Sequence, residues 1–170
     1  IPVHEQTAVA GHAVRANYLY AGLADLVAET GETLDGSSVQ LLANIEFPHE
    51  VDLCLSRGAE GIGLYRTEFL YMDRRDNPDE EEHFRAYRAL IDSVDGKPVT
   101  IRTLDIGVDK DFDVDTSRIA GPNPALGLRA IRYCLRNENI FRSQLRAILR
   151  VSHFGQVQLM YPLVTGLEEL

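Results

Sequence analysis

The stretch Gly61-Ile62-Gly63-Leu64-Tyr65-Arg66 decides the fold class of this chain. It is short, mostly apolar and bounded by turn residues, and these features predict a β-strand that is buried on both faces. Three further runs of the same character occur at residues 39–45, 98–106 and 157–163. Strands that are apolar along nearly their whole length and alternate with helices are typical of parallel sheets. The sequence therefore predicts an α/β fold.

Helix-start signals occupy the segments between these predicted strands. An N-cap residue followed by proline, as at Asn77-Pro78 and at Asn123-Pro124, is typical of the first turn of a helix. Apolar residues then recur at helical spacing. The helices predicted in this way span residues 12–29, 48–57, 78–94 and 123–153, the last with a break near residues 137–139.

Composition excludes several classes of function. With 170 residues, 45% of them hydrophobic and 25% charged, the chain is expected to fold around a core. A net charge of −9 disfavours a nucleic-acid partner. No run approaches the roughly 20 apolar residues of a membrane helix, and residues 1–10 lack a signal-peptide pattern. Cys54 and Cys134 lie far apart within predicted helices, so we expect inert buried thiols in a reducing cytoplasm.

Three arginines fall where parallel α/β folds place their functional groups, at the carboxyl ends of the strands. Arg66 closes the second predicted strand, Arg102 lies within the third, and Arg129 falls in the first turns of the helix opened at residue 123. Guanidinium groups converging on one edge would form an anion site, because their planar donors match phosphate and carboxylate. The ordinary alternative is an ion pair, for example of Arg66 with Glu68 or Glu60.

The other chemically capable side chains favour structural roles. Asp105, Asp109 and Asp111 lack the spacing of a calcium loop, so we expect a solvated acidic loop. No histidine belongs to a metal-binding or catalytic motif, and surface or helix-packing roles are expected for all five: His4, His12, His49, His83 and His153. Core or helix-face packing is expected for the aromatic residues Tyr65, Phe69, Phe84 and Tyr87.

A family resemblance extends this interpretation. Residues 58–72, GAEGIGLYRTEFLYM, resemble the phosphoenolpyruvate-binding barrel of enzyme I of the bacterial sugar phosphotransferase system. Further agreement follows in order at residues 101–107 (IRTLDIG), 123–132 (NPALGLRAIR), 144–150 (QLRAILR) and 160–163 (MYPL). The resemblance implies that residues 34–170 form about four units of a partial (β/α)8 TIM barrel, preceded by a linker helix over residues 1–33. A complete barrel of this kind has about 250 residues.

The resemblance also implies an activity. Members of the family move the phosphoryl group of phosphoenolpyruvate (PEP), with Mg2+, to a histidine of a separate domain and then to a phosphocarrier protein in sugar uptake. By motif, Arg66 and Arg102 would bind the PEP phosphate and Arg129 would be a supporting anion ligand. The metal ligands, the acceptor histidine and the acid/base residue are expected outside this chain, which supplies no catalytic residue. The parent is expected to be a cytoplasmic homodimer with neither a nucleic-acid nor a membrane partner.

Two alternatives stay open at this point. The first is a non-catalytic binding or assembly module, because four parallel strands leave two sheet edges on which another chain could pair. Two copies could then close an eight-stranded ring with two-fold symmetry. The second alternative retains the enzyme class and makes the chain part of a pyruvate phosphate dikinase or a PEP synthase.

One biochemical outcome follows from the resemblance. Because the reaction needs the metal, the acceptor histidine and the acid/base group together, the isolated 170-residue chain is expected to be inactive. Incubation with radiolabelled PEP and Mg2+ should leave the polypeptide unlabelled. Clear covalent labelling of the chain would contradict this expectation.

Overall fold

Four strands form one parallel sheet in the computed structural model, which describes residues 40–72, 74, 76–106 and 127–170. The strands lie in sequence order, with β2 between β1 and β3 and with β4 beside β3. Their bounds are Leu42–Ile45 for β1, Gly61–Tyr65 for β2, Val99–Arg102 for β3 and Val157–Met160 for β4. The predicted α/β class is confirmed, and the arrangement is consistent with part of a (β/α)8 barrel.

Helices connect these strands. Their bounds are Val51–Ser56 for α1, Glu80–Ser93 for α2, Ile131–Arg136 for α3 and Glu138–Val151 for α4. Single 3-10 turns occur at Pro48–Glu50, Glu68–Tyr71, Ser152–Phe154 and Leu167–Glu169. The expected break near residue 137 is confirmed, because Asn137 separates α3 from α4. The helix predicted over residues 12–29 lies outside the described residues, and so does the proposed boundary between residues 33 and 34.

The register of the sheet brings the carboxyl ends of neighbouring strands to one edge. Leu42 pairs with Gly61 across β1 and β2, and Val99 pairs with Val157 across β3 and β4. Glycine is required where β2 passes β1, because a Cβ atom on Gly63 would lie 2.8 Å from the Cβ of Leu42. Because all the strand pairs are parallel, the last residues of the four strands lie at the same edge of the sheet.

The main core lies between the sheet and helices α2 and α4. Tyr65 of β2 and Tyr87 of α2 are both fully buried, and their rings pack edge to face with centroids 6.2 Å apart. Phe69 and Phe84 are partly buried and pack against the same cluster. The packing roles expected for these four aromatic residues are confirmed. Burial of large aromatic rings on both elements holds α2 against the sheet.

The start of α2 differs from the prediction. Its N-cap is Asp79, two residues beyond the expected Asn77. The Asp79 carboxylate accepts a hydrogen bond from the Glu82 amide at 2.8 Å, and the Glu82 carboxylate accepts one from the Asp79 amide at 3.0 Å. This reciprocal capping box satisfies two amides of the first turn, a gain that Asn77 does not provide.

The start of α3 also differs. The helix begins at Ile131, so Arg129 precedes it instead of lying within its first turns. The cause is Ala130, whose φ of 54° and ψ of −123° are incompatible with helical backbone. The part of the prediction that concerned residues 123–126 lies outside the described residues.

Strand β3 is shorter than the predicted run, which extended to residue 106. The Thr103 amide still donates to the Met160 carbonyl of β4 at 2.9 Å. Beyond that point the amides turn to side chains: Leu104 donates to Gln144 Oε1 and Asp105 donates to Glu68 Oε1, both at 3.0 Å. The strand therefore ends where side-chain acceptors replace the carbonyls of the neighbouring strand.

The thiols differ from each other in their surroundings. Cys134 of α3 is buried, as expected, and burial raises its pKa to about 12. Cys54 of α1 is only half-buried, so the expectation of a buried thiol is wrong there.

Across the described ranges, no helix is both long and apolar enough to cross a membrane.

Removal of the α2 cap tests this account of the fold. The Asp79→Ala variant should lose about 1 kcal/mol of unfolding free energy, because the Glu82 amide loses its acceptor. Asp76→Ala is the matched control, since Asp76 is exposed and lies outside the helix. Urea denaturation of both variants measures the difference, and equal stabilities would contradict the capping role.

Candidate functional site

Charged side chains collect at the carboxyl edge of the sheet. Arg66 directly follows β2, and its amide donates to the Ile45 carbonyl at the end of β1 at 3.0 Å. Arg102 is the last residue of β3. The segment that carries Arg129 is fixed beside the same edge, because the Ala130 amide donates to the Ile106 carbonyl at 3.1 Å. All three predicted arginines therefore belong to segments at this edge.

Two of these arginines converge on one carboxylate. Arg129 Nε donates to Asp105 Oδ1 at 2.8 Å, and Arg102 Nη1 lies 3.4 Å from Asp105 Oδ2. Arg102 Nη2 also donates to Glu68 Oε1 at 2.8 Å. We call Glu68, Arg102, Asp105 and Arg129 the edge cluster. It combines two guanidinium groups with two carboxylates, so its formal charges balance.

The edge cluster is partly shielded from solvent. The side chains of Arg102 and Glu68 are 18% and 17% exposed, and that of Asp105 is 12% exposed. The expectation that Asp105 belongs to a solvated loop is therefore wrong: it lies between two arginines. Asp109 and Asp111 lie outside the described residues. Restricted access of water strengthens charge-assisted hydrogen bonds within the cluster.

Arg66 has a different partner. Its Nη1 donates to Glu46 Oε1 at 2.6 Å. The partner is therefore Glu46, and not Glu68 or Glu60, the two partners considered from the sequence. Glu46 follows β1, just as Arg66 follows β2, so adjacent strand ends supply the two charges. The side chains are 42% and 49% exposed. An ion pair this exposed contributes little to the free energy of folding, so Arg66 can readily exchange Glu46 for another ligand.

Arg102 retains unused donor capacity. Its two terminal nitrogens bind Glu68 and Asp105, whereas its Nε is buried and has no hydrogen-bond partner among the described residues. Glu68 Oε2 is also buried, and no residue in the described part of the chain bonds to it. Unpaired buried polar atoms of this kind are uncommon in folded proteins.

A buried polar network lies directly behind the edge cluster. Thr67 Oγ1 donates to the Arg102 carbonyl at 3.0 Å and accepts from Gln144 Nε2 at 3.1 Å. Gln144 Nε2 also donates to the Tyr87 hydroxyl at 3.1 Å. Beyond Tyr87 the network reaches His83 and Tyr71. His83 is fully buried, which confirms its expected helix-packing role.

Sequence reasoning missed the partners of the arginines. Glu46 and Gln144 had no role in the prediction, and Glu68 was considered only as a partner of Arg66, whereas it binds Arg102. The spacing of Arg102 and Asp105 was the one local signal, since residues three apart can contact each other. Gln144 opens the motif at residues 144–150, but nothing in that spacing indicates what its side chain contacts.

Metal ligands are not grouped in this part of the chain. Among residues 40–72, 74, 76–106 and 127–170, no cluster of three or more His, Cys, Asp or Glu side chains could hold an ion. Glu68 and Asp105 are close enough to share Arg102, but both are engaged by guanidinium groups. The described residues therefore do not fit a magnesium site of their own.

Comparison with known proteins gives a consistent result. Residues 20–170 match the family model described as PEP-utilising enzyme, PEP-binding domain. The phosphoenolpyruvate-protein phosphotransferase of Geobacillus stearothermophilus is 50% identical over 146 residues, which is 86% of this chain and 25% of that protein. The enzyme of the same name from Cupriavidus necator is 50% identical over 140 residues, or 81% of this chain and 24% of that protein.

A third relative agrees. The phosphoenolpyruvate-protein phosphotransferase of Staphylococcus carnosus is 51% identical over 138 residues, which is 81% of this chain and 24% of that protein. The chain thus spans about a quarter of the length of the curated relatives that it matches. The family match covers nearly the whole chain and includes every residue of the edge cluster. This chain therefore belongs to the PEP-utilising enzyme family, in the region of its PEP-binding domain.

Proposed function

We propose that this chain is part of a phosphoenolpyruvate-protein phosphotransferase and that its edge cluster contributes to binding the PEP phosphate. The observation that carries the proposal is the convergence of Arg102 and Arg129 on Asp105, at the carboxyl edge of a parallel sheet. This edge is where α/β folds bind phosphorylated ligands. The names of relatives about half identical in sequence support the same conclusion.

Arg102 is the central phosphate ligand in this proposal. Glu68 and Asp105 hold its guanidinium plane, so an incoming phosphate meets donors whose orientation is already fixed. Such preorganisation reduces the entropy lost on binding. Arg129, held by the same Asp105, is the supporting anion ligand. Because the charges of the cluster balance, phosphate binds there by directional hydrogen bonds more than by net electrostatic attraction. Such binding does not depend on long-range attraction, which a chain of net charge −9 would not provide.

Arg66 is the second phosphate ligand in the proposal. In the structure its guanidinium group binds Glu46, but the exposure of both side chains makes this pair weak. A phosphate group carries more negative charge than one carboxylate and accepts bidentate hydrogen bonds from arginine. Exchange of Glu46 for the PEP phosphate is therefore favourable once the ligand is bound at Arg102.

The reaction assigned to the whole protein is transfer of the PEP phosphoryl group to a histidine. The bond between phosphorus and the enol oxygen breaks, a bond between phosphorus and the histidine nitrogen forms, and the enolate leaves to take up a proton as pyruvate. Arginine ligands offset charge on the phosphoryl oxygens during such a transfer. The acceptor histidine belongs to a separate domain in this proposal, and no described residue is assigned that role.

The proposal includes the partners and setting of the parent protein. The phosphoryl group passes from the histidine to a phosphocarrier protein in sugar uptake, and the parent is a cytoplasmic homodimer. Mg2+ is part of the proposed chemistry, although the described residues supply no cluster to hold it. A dikinase or PEP synthase is the less supported member of the family, because the relatives compared above carry the phosphotransferase name.

Titration of the 15N-labelled chain with PEP tests the proposal. Side-chain signals of Arg102 and Arg129 and backbone signals of residues 66–68 and 103–105 should shift, because these groups surround the edge cluster. Pyruvate, which lacks the phosphate, should leave them unchanged. The Arg102→Lys variant should bind PEP about tenfold more weakly, because lysine cannot replace the paired guanidinium donors.

Arg142→Lys is the matched control for that titration. Arg142 is exposed on α4, and among the described residues its ion pair is with Glu138, one turn away, so its replacement should not change PEP binding. Equal responses to PEP and pyruvate would contradict the proposed ligand. Equal affinities of the two lysine variants would contradict the role of Arg102.

A further inference from the structure

Gln144 is a fully buried polar residue to which the family assignment gives no role. It lies on α4, and its carboxamide reaches three different parts of the molecule: Leu104 beyond β3, Thr67 beyond β2 and Tyr87 on α2. We infer that Gln144 is a positioning residue that, through Thr67 and Leu104, fixes the end of β3, which carries Arg102 of the edge cluster. This inference rests on the proposed function of that cluster.

The hydrogen bonds of Gln144 determine the orientation of its amide. The Leu104 amide is a donor, so the atom 3.0 Å from it must be the carbonyl oxygen Oε1. The NH2 group then faces Thr67 Oγ1 and the Tyr87 hydroxyl, each at 3.1 Å. Both of its protons are used, and neither Thr67 nor Tyr87 needs to donate to Gln144.

This orientation fixes the direction of every later hydrogen bond. Thr67 receives a proton from Gln144, so its own hydroxyl proton is available to the Arg102 carbonyl, 3.0 Å away. Tyr87 likewise accepts from Gln144, and its own hydroxyl proton is then available to His83 Nδ1, 3.0 Å away, which we assign as the acceptor. His83 Nε2 must then carry the ring proton and donate to the Tyr71 hydroxyl at 2.9 Å.

The neutral form of His83 agrees with this assignment. Burial is the main cause that lowers its pKa, to about 4, so the ring is uncharged near neutral pH. A neutral imidazole has one donor and one acceptor nitrogen, and the network uses one of each. The network therefore runs in a single direction, from Gln144 through Tyr87 and His83 to Tyr71.

The other branch of the network reaches the edge cluster. Thr67 binds the Arg102 carbonyl, and Gln144 binds the Leu104 amide two residues later. The next amide, that of Asp105, binds Glu68, which also binds the Arg102 side chain. The backbone from Arg102 to Asp105 is thus held by side chains of two other segments, the one after β2 and helix α4. Glu68 and Asp105, which bind the Arg102 guanidinium group, both depend on that backbone.

Replacement of Gln144 by glutamate keeps the shape of the side chain but turns its donating NH2 group into an accepting oxygen. In the Gln144→Glu variant the introduced carboxylate still accepts from Leu104, but it can only accept from Thr67 and Tyr87. The Tyr87 proton turns to the carboxylate, His83 Nδ1 becomes the donor to Tyr87, and Nε2 becomes an acceptor. The Thr67 proton is drawn from the Arg102 carbonyl, which loosens the strand end.

The tautomer of His83 reports this reversal directly. Nitrogen NMR of the wild-type chain should show the proton on Nε2. The Gln144→Glu variant, at about pH 9 where the introduced carboxyl is ionised, should show it on Nδ1. Gln158→Glu is the matched control, because Gln158 is exposed on β4 and, within the described ranges, bonds through its Oε1, as acceptor from Thr100. The control should retain the wild-type tautomer, and an Nδ1 proton in the wild-type chain would overturn the inference.

Thr67 variants test the connection to the site without introducing a buried charge. Thr67→Val removes the hydroxyl and should weaken PEP binding about tenfold, with the His83 tautomer unchanged. Thr67→Ser keeps the hydroxyl and should restore the affinity to within about twofold. Equal PEP affinities of the valine variant and the wild-type chain would overturn the positioning role. A serine variant that binds PEP as weakly as the valine variant would overturn it too.

The outcomes also separate this inference from the proposed function. If the wild-type chain does not bind PEP but His83 has the expected tautomer in the wild-type chain and in the Gln144→Glu variant, the proposed function fails and the network assignment holds. If PEP binds as expected but the valine variant binds equally well, the proposed function holds and the positioning role fails.

Discussion

Beyond Thr103 the chain leaves the sheet, and the amide of Leu104 donates to the buried side chain of Gln144 instead of to a strand. An amide enclosed in the protein without an acceptor would cost about 1–3 kcal/mol. The carboxamide of Gln144 removes that cost and spends its own two protons on Thr67 and Tyr87. Strand β3, helix α2 and the segment after β2 are therefore fixed relative to one another by one side chain.

Charge balance is the second constraint on the site. Arg102 and Arg129 could not approach each other closely without a shared counterion, because like charges repel strongly where water is partly excluded. Asp105 supplies that counterion, and Glu68 holds the remaining terminal nitrogen of Arg102. The carboxylates therefore keep the guanidinium groups in place. In the proposed function they compete with the PEP phosphate for the same donors.

The sequence was sufficient for the fold class and for placing Arg66 and Arg102 at one edge of the sheet. Nearly continuous apolar runs marked all four strands, and the rule that parallel strands end at one edge located Arg66 and Arg102 there. The family resemblance drawn from the motifs is confirmed by the match over residues 20–170. The roles of the three arginines and the division at residue 33 stay predictions.

The details that escaped prediction have physical reasons. Glu46 and Arg66, or Gln144 and Leu104, are joined across 20 and 40 positions, and local patterns contain no signal for such contacts. The α2 cap was misplaced because Asn77 and Asp79 are both good N-cap residues, and only the bond with Glu82 distinguishes them. The delayed start of α3 depends on the backbone of Ala130, a residue whose type favours helix.

A double-mutant cycle on PEP affinity tests most directly whether the buried network acts through Arg102. The four proteins are the wild-type chain, Thr67→Val, Arg102→Lys and the double variant, with the dissociation constant for PEP measured by titration. If Thr67 acts by holding the Arg102 strand end, the valine substitution weakens binding about tenfold with arginine present and less than about twofold with lysine present. The same fold loss in both backgrounds would contradict the account.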